Sequence, residues 1–197
     1  MKKRLSITLA CILTTTSLTA QAGEFTAAQL KQMSIFISNF SEVGLTTLKT
    51  ADLMKDNDEK VRFGIAHTYL NNKADVSDCS QCQWGNRAIH HVHIRDALKR
   101  YFDYDMTSFP QVNPYNYDFH YDGRRYQFNK EGLNWARIYA TVLHARRVAG
   151  NRIEMTGHYY LPDEHNRIAG KFRALAKPHV WRGKPTWAII EIDYPIK

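Results

Sequence analysis

The hydrophobic period of this chain changes once, near Tyr115, and that change limits the possible folds more than any single motif does. Before it, apolar residues recur at spacings of three and four; after it, they alternate. A helix buries a stripe of period 3.6 and a half-buried strand buries a face of period 2, so helices should be followed by strands. Elements segregated in this way give an α+β fold, unlike the regular βαβ alternation of a parallel sheet.

The first half holds three helices. Thr26-x-x-Gln29 is a capping box, Leu30, Met33, Ile37 and Phe40 follow at helical spacing, and Gly44 stops the run. A second helix starts near Asn57 and ends at Asn71-Asn72, with Val61, Ile65 and Tyr69 on one face and Phe63, Ala66 and Leu70 on another. Apolar residues on two faces imply a well-buried helix. Ile94, Ala97, Leu98, Tyr101 and Phe102 describe a third, amphipathic helix, approached by an extended run through His90, His91 and His93.

Three hairpins organise the second half. Asp122-Gly123 is a strong hairpin turn, which would pair Phe119 with Tyr126 and Tyr117 with Phe128 on one aromatic face. The other face then carries Asp118, His120, Arg125 and Gln127. A turn at Gly150-Asn151 would oppose Arg147 to Glu154 and send His144 and His158 to opposite faces. A third turn, at Arg182-Gly183, joins 172–181 to 185–196, and Pro178 marks an edge or a bulge. The predicted architecture is three helices packed on a curved antiparallel sheet of about six strands, a layout similar to the NTF2-like and cystatin-like superfamilies. That layout serves enzymes, binding modules and inhibitors alike.

The N-terminus supplies an address. Lys2, Lys3 and Arg4 precede an apolar run from Leu5 to Leu13 and the small-residue ending Ala20-Gln21-Ala22, the pattern of a cleaved secretory leader. Cleavage after Ala22 would leave a single domain, 23–197, in the periplasm or outside the cell. The apolar run is too short to span a bilayer, and no later segment approaches that length, so no transmembrane segment is expected after cleavage. The net charge of +8 includes three leader cations, which leaves 8 − 3 = +5 on residues 23–197. Outside the cytoplasm this mild excess suits anionic envelope components or acidic partners, and nucleic acid is not an expected partner.

Cys79-Ser80-Gln81-Cys82 holds the two cysteines beyond the leader. Export favours a disulfide between them. The alternatives are a zinc site completed by His90 and His93, with Asp78 adjacent, and a redox dithiol, which needs a thioredoxin-like βαβ unit that the sequence lacks before it. No cofactor-binding motif is present: the chain has no Gly-rich phosphate loop, nucleophile elbow, H-E-x-x-H or EF-hand loop. The candidate catalytic residues are therefore His67, a base if it faces a cavity, and Asp118 with His120, two apart on one strand with Arg125 across the ladder.

Five phrases carry a family resemblance: 36–43 (FISNFSEV), 63–72 (FGIAHTYLNN), 121–123 (YDG), 176–181 (AKPHVW) and 186–189 (TWAI). In these the chain resembles a group of uncharacterised exported bacterial proteins. The resemblance spans nearly all of 23–197 and implies one family-wide domain whose polar phrase residues are Ser38, Asn39, Glu42, His67, Asn71, Asn72 and His179. These are the candidate binding residues. The preferred expectation is a non-catalytic exported module that binds a small ligand, an envelope component or a protein partner. The alternatives are a periplasmic hydrolase or isomerase using His67 or His120 as base, and a zinc-stabilised domain.

Overall fold

The computed structural model describes residues 25–112, 119–130, 137–162 and 167–195. They form four helices and two antiparallel sheets, an α+β fold. The secretory leader expected at 1–22 and the candidate Asp118 lie outside the described residues.

Helix α1 (Ala27–Ser41) begins at the predicted capping box. Thr26 Oγ1 accepts from the Gln29 amide, and Gln29 Oε1 accepts from the Thr26 amide at 2.9 Å. Gly44 follows the helix with φ +83°, a backbone angle that favours glycine. Helix α3 (Asn57–Asn71) is capped by Asp56, whose side chain accepts from the Glu59 amide. It is buried from Lys60 to Thr68, as the two apolar faces implied. Arg62 lies in that stretch with its guanidinium on the Val43 carbonyl and on Glu59, each at 2.7 Å, so the buried charge is paired.

Helix α4 (His91–Phe102) packs on α3 across Gly64, where a Cβ would collide with the Ile94 side chain. His90 is its N-cap, accepting from the Val92 amide, so His91 and His93 belong to the helix and not to an extended approach. The chain leaves α4 through Asp103 in the left-handed region. Helix α2 (Thr50–Leu53) is too short to show a periodicity and was not expected from the sequence.

The expected single sheet of about six strands is two sheets. The larger runs β1 (Leu48–Lys49), β9 (Lys184–Asp193), β8 (Arg167–Trp181), β7 (Arg152–Leu161), β6 (Tyr139–Val148). The smaller runs β2 (Val76–Asp78), β3 (Arg87–His90), β5 (Arg125–Phe128), β4 (His120–Tyr121). β2 and β3 are too short to alternate visibly, and β3 pairs with β5 across a long stretch of sequence. The Asp122-Gly123 hairpin therefore joins the small sheet.

Two hairpin registers differ from expectation. Tyr121 pairs with Tyr126 and His120 with Gln127, a slip of two residues that leaves the aromatic face unchanged. Asp122 widens that turn by accepting from the amides of Arg124 and Arg125 at 2.9 and 2.6 Å. At Gly150 the loop has three residues, Val148 opposing Arg152, which slips the register by one and gives Arg146, not Arg147, to Glu154. A one-residue slip exchanges faces. The slip alone sets His144 opposite Thr156, on the face of His158, and a bulge at Leu143 shifts the register beyond it. The Arg182-Gly183 turn is as expected: Trp181 opposes Lys184, with φ +49° and +73° at the two central residues. Pro178 sits where β8 has run past β7, whose last pair is Ile153–Ala176, so its missing N–H breaks no ladder bond on that side.

The core is a cluster of rings between α1, α3 and α4, with Phe40 and Phe63 at 5.6 Å and Phe63 and Phe102 at 4.8 Å, continued by Met155, Tyr159 and Phe172 of the large sheet. The edge of β6 is covered by α1. Ser34 and Ser38 accept from the amides of Val142 and Ala140 at 2.9 and 3.0 Å, and Ser41 donates to the Ile138 carbonyl at 2.6 Å. Three hydroxyls thus satisfy backbone groups that a further strand would have paired.

Candidate functional site

The helix α3 that the sequence marked for burial carries His67 against α4. Its ring is 2 % exposed, parallel to Phe63 at 5.8 Å and edge-on to Tyr101 at 4.7 Å. Burial is the first cause, and the nearby Arg100 the second, of a pKa lowered to about 3. The imidazole is therefore neutral at physiological pH. Asn71, one turn on, gives an amide hydrogen to His67 Nδ1 at 3.2 Å. In a neutral ring the remaining proton must then sit on Nε2.

His67, Thr68 and Asn72 of the α3 end, Asp96 and Arg100 of α4, and Trp181 and Arg182 of the β8–β9 turn line a cavity of about 180 Å³. Two carboxylates on its wall are already engaged, Asp96 with Arg182, and Asp75 with His93 Nδ1 at 3.3 Å. The Thr68 hydroxyl donates to the Gly64 carbonyl at 2.8 Å. Arg100 differs from these. Its guanidinium lies 5.0 Å from the Tyr101 ring and 4.8 Å from the Trp181 ring, and no carboxylate or carbonyl among the described residues takes its N–H groups. On the far side of Arg100 and Trp181 a second cavity, of about 310 Å³, is bounded by Phe36, Asn39, Lys184 and Trp187. One stacked cation stands in the wall between the two.

The polar phrase residues fall into three places. His67 and Asn72 line the small cavity. Ser38, Asn39, Glu42 and Asn71 line a separate groove between α1 and β6. Asn71 links the two, since its amide nitrogen also lies 3.4 Å from Glu42 Oε2. Ser38 spends its hydroxyl on the β6 edge and Asn39 donates to the Ile35 carbonyl at 2.6 Å, so both have structural work. His179 stands apart on β8, its side chain 8 % exposed, Nδ1 3.5 Å from Asp103 and Nε2 buried with no partner among the described residues. Asp103 also receives Lys99 and Lys177, each at 2.9 Å, and these hydrogen bonds outweigh its desolvation, lowering its pKa to about 2.

The other candidates do not assemble. His120 stacks on Trp84 at 4.6 Å and opposes Gln127, while Arg125 is turned to Asp122, so the register slip removes the arginine expected across from the histidine. Cys79 and Cys82 are disulfide-bonded. The zinc alternative would need His90 and His93 to join them, yet His93 faces Asp75 and His90 receives Arg124 at 3.1 Å. Among the described residues no three His, Cys, Asp or Glu side chains converge as metal ligands. No described helix is long and apolar enough to cross a membrane.

Sequence reasoning missed Arg100 and Trp181. Arg100 lies on the polar side of an amphipathic helix and Trp181 just before a turn; their 81-residue separation left no local signal. No protein-family model, curated protein or solved structure matches the chain.

Proposed function

We propose that this chain is an exported, non-catalytic binding module, and that the cavity between α3, α4 and the β8–β9 turn takes a small carboxylate- or phosphate-bearing ligand. The observation that carries the reading is the donor set facing that space: an Arg100 guanidinium stacked between two rings and without an acceptor among the described residues, beside a neutral His67 whose proton is on Nε2. A planar guanidinium with open donors matches the fork of a carboxylate or phosphate.

The same facts argue against His67 as a general base. A ring held at about pKa 3 accepts protons weakly near neutrality, and its Nδ1 is occupied by Asn71. The one hydroxyl that the described residues place on the cavity wall, Thr68, is spent on its own helix. The disulfide and the leader-like N-terminus support an oxidising, extracytoplasmic setting.

Calorimetric titration of the protein with inorganic phosphate, acetate and benzoate tests the reading. At least one anion should bind, and Arg100→Gln should weaken it by about 10- to 100-fold, the worth of a charge-assisted hydrogen bond of about 1.5–3 kcal/mol. Equal affinity in the variant, or no anion binding at all, refutes it.

A further inference from the structure

The groove between α1 and β6 has a volume of about 660 Å³, in the range of small-molecule sites, and its walls are mostly apolar. Leu30, Val142 and the stacked pair Tyr139 and Tyr160, at 5.8 Å, form the walls. Ile35 and Leu143 stand in it 58 % and 48 % exposed, two of the five large apolar side chains that the described residues leave open to solvent. Leu143 is there because the β6 bulge turns it outward.

Glu42 lies in the same groove. It is half-buried, and among the described residues it receives only the long Asn71 contact and pairs with no lysine or arginine. Arg137 acts on it from a distance, and Lys31 lines the groove without reaching it. Glu42 is also the C-cap of a 15-residue helix whose last turn holds no basic residue. A carboxylate at a helix C-terminus meets the negative end of the dipole, where a cation is favoured. Burial, the leading cause, raises its pKa in the same sense. The ion thus sits where desolvation and the helix dipole both work against it, beside an open apolar wall.

We propose that this groove binds an amphiphilic primary ammonium ion, its cationic head on Glu42 at the α1 C-terminus and its apolar tail along Ile35 and Leu143. The groove shares no lining residue with the anion cavity and has the opposite charge preference. The ammonium supplies the positive partner that the described residues do not, and the tail covers the exposed side chains.

The test uses octylammonium, octanol and octanoate as probes, titrated into the full chain by calorimetry and by amide NMR. Octylammonium should bind tightest, by about 10-fold or more, and should shift the amides of Ala140, Val142 and Leu143. Glu42→Gln, which keeps the shape and the Asn71 contact, should bring its affinity down to that of octanol; Arg100→Gln should leave it unchanged. Should Glu42→Gln fail to fold, Leu143→Lys, at an exposed wall position, should weaken octylammonium and strengthen octanoate. Equal binding of all three probes, no binding, or an ammonium affinity indifferent to Glu42 and Leu143 overturns the proposal. The Arg100 anion site stands or falls separately.

Discussion

Mild acid should expose the cost of burying His67. The group has a pKa of about 3 when folded and about 6.5 when the chain is unfolded, so the unfolded state takes up a proton first as pH falls. Because the folded pKa is depressed, the stability due to a neutral His67 is fully present above about pH 6.5 and is lost progressively as pH falls from there towards about 3. At about pH 4.5 the solution lies about two pH units below the unfolded pKa, each worth about 1.4 kcal/mol for this one proton, and the loss is about 3 kcal/mol. That window lies above Asp103 and Asp122, which are held to about 2. Urea denaturation at about pH 7.5 and about pH 4.5 measures the difference, and His67→Gln removes the titrating group. The variant starts less stable, having lost packing against Phe63 and Tyr101, but its stability should fall by about 3 kcal/mol less on acidification. His90 and His91, also lowered by burial, act equally in both proteins and cancel. An identical acid-induced loss in the two proteins refutes a neutral, buried His67.

Two further perturbations test the packing that holds the cavity and the groove. Gly64→Ala should destabilise, although alanine is the better helix former by about 1 kcal/mol, because overpacking against Ile94 costs about 1–3 kcal/mol; a raised melting temperature would contradict the α3–α4 contact. Ser38→Ala should cost about 1–2 kcal/mol by leaving the Ala140 amide without its acceptor, and hydrogen exchange at Ala140 should accelerate while that at Met155, inside the sheet, does not.

The parts of the fold that could be read from the sequence are those specified locally. The Thr26–Gln29 box, the ends of α3, the apolar stripe of α4 and the Arg182-Gly183 turn each depend on residues a few positions apart, and each lies where expected. Where the structure departs from expectation, local choices compete. Gly150 could close a two- or a three-residue loop, and Asp122 could begin a tight turn or, by capping two amides, a wider one. Pairing of β3 with β5 depends on contacts far apart in sequence, which composition does not reveal. At the site, His67, Asn71 and Glu42 are three of the seven polar residues that the resemblance implies as binding residues, and Asn71 contacts the other two. Arg100 lies outside the phrases that carry the resemblance.

Asn71 also shows why an amide is required at its position. Its nitrogen has two hydrogens, one for an imidazole lone pair and one for a carboxylate oxygen, and both neighbours can only accept. Aspartate would confront them with a third acceptor, leucine would leave both unserved, and glutamine would carry the same group one methylene too far from α3. The side chain therefore cannot change while both neighbours keep their present protonation, and a protein that replaced it would have to rewrite His67 and Glu42 as well.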